Sequence, residues 1–282
     1  MRLGIVLCGE GIGVAAHAGA LRALAEHAFD VHALCGVSGG AAAAALYALG
    51  LSPEEMQIAA QDAAKERRRI LDFAVFGERR AQGLLLGRGL SRRLLALTRG
   101  AVMSDCKRAL ALPCLAALSG KTLAFTSLPG MRARDVVFTR EAPLWFAARA
   151  AMSVPGLIAG VEWMEVPLAA AQAPHTCIQA LQAMGAQQVL FLVPAYQAPA
   201  KTDAFTLSAL LHAQRFLAAE GKDVHAVELA LPQGAGALTF EAADACCAAG
   251  HTAMLRALAD LTASWGIQAS RVLPFPGRGP GV

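Results

Sequence analysis

The chain has 282 residues, 56% of them hydrophobic and 16% charged, with a formal net charge of +4; this length suits one large domain or two small ones around a sizeable core. No run of about 18 strongly apolar residues occurs, which excludes a membrane-spanning helix from the reading. The seven cysteines are odd in number and form no C-x-x-C pair, which points to free thiols in a reducing cytoplasm and away from a disulfide scaffold.

Leu3–Cys8 reads as a buried strand. It runs straight into glycines, without the longer apolar region and cleavage site of a signal peptide. Gly9-Glu10-Gly11-Ile12-Gly13 follows, then a helix over Val14–Glu26. In such a βα unit the glycine loop offers backbone N–H groups to an anion. The loop lacks the G-x-G-x-x-G spacing of a dinucleotide site and the Lys-Ser/Thr of a P-loop. It suits the oxyanion hole of a serine hydrolase better. Val31–Cys35 is a second strand, with Cys35 as a core thiol. It feeds Gly36-Val37-Ser38-Gly39-Gly40, which fits G-x-S-x-G, the strand-to-helix elbow that presents a nucleophilic serine. The glycines leave room for a strained serine and a close helix. The plain alternative is a Gly-Ser turn ahead of the alanine-rich helix at residues 41–49.

Ser52-Pro53 marks an N-cap with proline at the first helical position, and that helix is expected to reach about Arg69. The charge is uneven here: residues 65 to 108 hold twelve Lys/Arg and four Asp/Glu, a local +8 against −4 elsewhere. With Phe73, Phe76 and leucines interleaved, this segment reads as a lid, a membrane-facing cap or ordinary packing. Its charge attracts anionic phospholipid head groups or simply forms a solvated helical face. Strands are predicted at Thr122–Thr126, Val136–Thr139, Val189–Val193 and Val224–Leu231, with an irregular one at Ile158–Val166. Helices are predicted at Pro143–Met152, Cys177–Met184 and Phe205–Ala219. A long one covers Phe240–Trp265, interrupted near Gly250. The alternation predicts a largely parallel, multilayer α/β fold in a single domain over residues 1–273. The Pro/Gly-rich tail at residues 274–282 reads as loose.

Residues 7–21, Leu-Cys-Gly-Glu-Gly-Ile-Gly-Val-Ala-Ala-His-Ala-Gly-Ala-Leu, resemble the glycine-rich opening of patatin-like phospholipases. Gly36-Val-Ser-Gly-Gly40 falls where that family has its nucleophile elbow. Residues 136–139 with 147–156, and residues 174–190, are similar to further family segments. The resemblance spans most of the chain. It implies a three-layer α/β/α fold with a mainly parallel central sheet, a Ser–Asp dyad and hydrolysis of acyl lipids. No cofactor and no metal are expected.

Two departures from the family pattern stand out. The family's loop reads G-G-G-x-[KR]-G, whereas here Gly13 takes the basic position and Glu10 places an acid where an oxyanion would develop. The Asp-Gly-Gly/Ala motif is absent; counting back from Pro174, Val166-Pro167-Leu168 fill its place. Glu165, ahead of Glu162, is the nearest stand-in base, and an exposed turn acid is the plainer reading. The seven histidines show no metal-ligand spacing. His17 lies by the loop as a packing residue or a site residue. His212, His225 and His251 are the candidates for a Ser-His-Asp triad on some other fold.

The expectation is a cytoplasmic serine acyl hydrolase of phospholipids or other acyl esters, with weak peripheral contact to anionic membranes and no nucleic-acid partner. Ser38 is its nucleophile, Glu165 its base, and residues 9–13 its oxyanion hole. The alternative is a patatin fold that has lost catalysis and acts in binding or regulation. A weaker third reading is a nucleotide-binding α/β module built on the first glycine loop.

Overall fold

The computed structural model describes residues 1–74, 83–200 and 202–265. The tail at 274–282, together with Phe76 and the stretch around it, lies outside the described residues. The strands are β1 (Leu3–Leu7), β2 (Val31–Gly36), β3 (Gly83–Leu85), β4 (Ala109–Ala116), β5 (Thr122–Thr126), β6 (Val136–Thr139), β7 (Gly156–Ile158), β8 (Val161–Trp163), β9 (Val166–Ala170), β10 (Gln188–Ala195) and β11 (Val224–Ala230). The helices are α1 (Ala16–Glu26), α2 (Gly40–Leu49), α3 (Pro53–Lys65), α4 (Arg67–Ile70), α5 (Arg88–Thr98), α6 (Leu144–Ala151), α7 (Pro174–Ala183), α8 (Ala204–Leu217) and α9 (Ala243–Ser264).

The central sheet runs β11-β10-β1-β2-β4-β5-β6 and is parallel from β11 through β4. β5 joins β4 antiparallel, and β6 returns parallel to β5. β4 changes partner along its length: Ala109–Ala111 pair with β2, while Cys114–Ala116 pair antiparallel with β9. β9 also forms an antiparallel hairpin with β8.

Alternation along each strand divides the core in two. Leu3, Ile5 and Leu7 of β1 point into the larger cluster with α1, α2 and α9. Val6 and Cys8 point to the other face, against Cys177, Ala180 and Leu181 of α7 and Ala213 and Phe216 of α8. The result is the expected three layers, with a mainly parallel sheet between helices.

Local chemistry accounts for the element ends. Ser52 caps α3 through a reciprocal capping box with Glu55, and Pro53 stands at the first turn. The helix expected to run to Arg69 breaks at Glu66 and resumes as α4. α9 passes through Gly250 without interruption. A Cβ there would run into the Ala16 carbonyl, so the glycine serves close packing of α9 on α1. Among the described residues no helix is long and apolar enough to cross a membrane.

Candidate active site

Ser38 stands between β2 and α2 with φ 50, in the left-handed region that a non-glycine residue enters at a cost of about 1–3 kcal/mol. Three backbone bonds hold it there. The Ser38 N–H donates to the Ala151 carbonyl (3.1 Å), Val37 N–H to Leu7 O (3.0 Å) and Gly40 N–H to Gly9 O (3.3 Å). Side chains at 39 and 40 have no space: a Cβ at Gly40 would strike the Leu7 carbonyl, and one at Gly39 would lie 2.9 Å from Gly9 O. The elbow and the loop at residues 9–13 are thus side by side at the same end of the sheet.

In that loop Gly9 and Gly11 take φ 102 and φ 62. Ile12 N–H donates to Ala237 O at 2.9 Å, and Gly13 N–H donates to the Tyr196 hydroxyl at 2.9 Å. Two of the five amides expected in the oxyanion hole are therefore engaged within the fold, which leaves Gly9, Glu10 and Gly11 for an anion. Tyr196 also donates to the Glu10 carbonyl at 2.8 Å.

The Glu10 side chain is buried. It accepts from Ser208 Oγ at 3.0 Å, and its Oε1 lies 3.8 Å from His212 Nδ1. Burial pushes its carboxyl up to about 7, partly offset by the Ser208 hydrogen bond. Near neutrality it is therefore about half protonated, which softens the clash with an oxyanion that its sequence position implies. Burial lowers both His17 and His212 to about 4. His17 Nε2–H donates to the Cys8 carbonyl at 2.7 Å. His212 stacks on Phe216 with ring centroids 4.4 Å apart. Sequence reasoning missed Tyr196 and Ser208, and it raised His212 only for a different arrangement. The i, i+4 spacing of Ser208 and His212, one face of a helix, was the available signal.

Glu165 is not brought to Ser38. Met164 and Glu165 form the exposed tip of the β8–β9 hairpin, at φ 47 and φ 64, the positive pair a two-residue turn requires. The inner end of the hairpin is Ala170, whose N–H donates to Ser153 O at 2.9 Å, two residues from the Ala151 that holds Ser38. Glu165 is five residues further out, roughly 16 Å at about 3.3 Å per residue. Glu162 is likewise exposed on β8, opposite Pro167. Val166, Pro167 and Leu168 lie within β9, and residues 171–173 join β9 to α7. Ala170 and Ala171, at the inner end of the hairpin, are both buried. Ser38 Oγ is itself buried, without a hydrogen-bond partner among the described residues.

An apolar cavity of about 200 Å³ adjoins the loop and elbow. Glu10, Gly11 and Gly39 form its polar end, and Leu46, Leu94, Leu157 and Phe240 belong to its apolar walls. Among the described residues no three His, Cys, Asp or Glu side chains come together as metal ligands.

A three-layer α/β/α fold, with a strained serine elbow beside a glycine loop, defines the patatin class of architecture. The chain belongs to the patatin-like phospholipase family, whose model matches residues 5–169. No curated protein matches it in sequence. Among solved structures it is similar to VipD from Legionella pneumophila, at 10% identity with TM-score 0.54, over 92% of this chain and 67% of that one. It is also similar to ExoU in complex with SpcU from the type III secretion system of Pseudomonas aeruginosa, at 16% identity with TM-score 0.45, over 92% of this chain. The chain spans 52% of that relative's length.

Proposed function

We infer that this protein acts on acyl lipid esters as a serine hydrolase. The acyl chain occupies the apolar cavity and the ester lies at its Glu10–Gly39 end. The observation that carries this reading is the meeting of three features at one point: the strained Ser38 elbow, the glycine loop, and a cavity whose walls are almost entirely aliphatic and aromatic. Ser38 Oγ attacks the acyl carbonyl, the free amides of residues 9–11 receive the oxyanion, and water hydrolyses the acyl-enzyme. An apolar cavity suits a hydrocarbon chain better than a phosphate, which supports the lipid reading over the nucleotide one. The seven free cysteines support a reducing, cytoplasmic setting. Exposed Arg68, Arg69, Arg88 and Arg92, close in sequence to the cavity-lining Ile70, Leu71 and Leu94, support weak contact with an anionic membrane.

A second reading is lipid binding without turnover. It is favoured by Ala170 and Ala171 at the inner end of β9 and by the buried Ser38 hydroxyl. Fluorophosphonate labelling and p-nitrophenyl ester hydrolysis separate the two. Labelling and turnover that vanish in Ser38→Ala support the hydrolase, whereas retention of a fatty acid without either supports the binding protein.

A further inference from the structure

Glu10 is the one acid in the cavity wall and the one buried acid among the described residues. Its backbone packs on the elbow: a Cβ at Gly39 would lie 3.3 Å from Glu10 Cα. Glu10 and Gly39, the residue next to Ser38, line the same cavity. The carboxyl turns toward α8, where it accepts a single hydrogen bond, from Ser208 Oγ at 3.0 Å. Ser208 is only half-buried. The His212 ring nitrogens have no hydrogen-bond partner among the described residues, and Nδ1 is 3.8 Å from Glu10 Oε1.

We propose that Glu10 is the catalytic base for Ser38, its carboxylate leaving Ser208 to accept the serine proton when an acyl ester fills the cavity. This rests on the hydrolytic reading. Catalytic hydrogen bonds are often formed only in the substrate complex, which accounts for the unpartnered Ser38 Oγ. The proton on Ser38 Oγ passes to Glu10 as the Oγ–acyl bond forms. Glu10 then gives it to the alkoxide released when the ester C–O bond breaks. In the second half Glu10 takes a proton from water and returns it to Ser38 Oγ as the acyl bond is cleaved.

Burial supplies a base matched to neutral pH, because a carboxyl near 7 is more basic than an ordinary glutamate and still substantially ionised. The groups facing it are Ser208 and His212 from α8 and Tyr196 after β10, with Cys246 of α9 near Tyr196 and Arg93 of α5 in the same cavity wall. His212 is held to about 4, and burial raises Tyr196 and Cys246, so these three stay neutral while Glu10 titrates.

The test is p-nitrophenyl butyrate hydrolysis from pH 5 to 9 by the wild type, Glu10→Gln, Glu10→Asp and Ser38→Ala, with thermal unfolding of each. The expected result is Ser38-dependent turnover with an acidic limb near pH 7. Glu10→Gln should lower kcat/KM by on the order of 10² or more and lose that limb. Should Glu10→Gln not fold, Glu10→Asp decides: its carboxyl falls short by one methylene, so a loss of about tenfold with the limb displaced is expected. A folded Glu10 variant within about threefold of wild type, its limb unchanged, overturns the base while the hydrolase stands. A wild type without Ser38-dependent turnover or labelling overturns both and leaves the binding protein.

Discussion

The Tyr196 hydroxyl bridges the two sides of the glycine loop, accepting from the Gly13 N–H at 2.9 Å and donating to the Glu10 carbonyl at 2.8 Å. Both bonds are buried, so Tyr196→Phe strands a donor and an acceptor where water does not reach. An unsatisfied buried group costs about 1–3 kcal/mol. The expected outcome is a loss of that order in urea unfolding, together with slower fluorophosphonate labelling of Ser38 as the loop loosens.

Arg149 is buried at 1% exposure and ties three segments to α6. Its guanidinium donates to Gly87 O (3.2 Å), Leu86 O (3.4 Å), Ala159 O (2.6 Å) and Ser153 Oγ (2.8 Å). Desolvation lowers it to about 10, offset in part by Asp72, so it remains charged. Arg149→Met keeps the stem but abandons these acceptors, and a loss of about 3 kcal/mol or more is expected in chemical denaturation. Arg149→Lys should recover little of it, because an ammonium cannot span the fork's directions.

Acid stability should follow the buried histidines. His17 and His212 sit near 4 when folded and ordinarily near 6.5. Between those values the unfolded chain binds more protons, so stability falls as pH drops through that window, by up to roughly 3 kcal/mol per histidine. Glu10 has the opposite sign. Its folded value of about 7 exceeds its ordinary 4.5, so its contribution declines as pH rises across that range. Two histidines outweigh one glutamate below 6.5. Unfolding temperatures measured from pH 4 to 8 should therefore drop toward acid in the wild type and less steeply in His212→Phe. Glu10→Gln should gain more stability at pH 8 than at pH 5.

The elbow and the glycine loop are legible in the sequence because their chemistry is local: glycines at fixed offsets beside short apolar runs. The alternation of strands and helices is legible for the same reason. β4 is not. Pro113 and six alanines and leucines around it carry little strand signal, and the pairing of Ala109–Ala116 with β2, β5 and β9 is decided by the whole sheet. The surroundings of the acids are not legible either. Glu10 meets Ser208 and His212 only because α8 packs beside the loop, almost two hundred residues away in sequence.

The exposed arginines give a prediction on membranes. Arg67 pairs with Glu241 at 2.8 Å and Arg93 with Glu66 at 3.1 Å, whereas Arg68, Arg69, Arg88 and Arg92 are exposed, as are Leu84 and Leu95 in the same stretch of sequence, at 46% and 45%. Vesicles containing anionic lipid should co-sediment the protein at low salt. Binding should fade as salt shortens screening toward about 8 Å, and Arg68→Glu with Arg69→Glu should weaken it. Equal binding to neutral and anionic vesicles at every salt concentration would reject the electrostatic contact.

The chemistry of the elbow is tested by three substitutions with different expected signatures. Ser38→Ala removes the hydroxyl but keeps a side chain at φ 50, so labelling and turnover should vanish with stability little changed. Ser38→Gly also removes the hydroxyl and relieves the left-handed backbone, which costs an L-residue roughly 1–2 kcal/mol. It should therefore be inactive and more stable than Ser38→Ala. Glu165→Gln alters only the exposed hairpin tip, where the turn and not the carboxylate is structural, so rate and stability should both stay at wild-type values. Loss of turnover in Glu165→Gln would mean that the hairpin folds inward during the reaction and carries its own base to Ser38. Unchanged turnover leaves the buried carboxyl of Glu10 as the acid positioned to serve it.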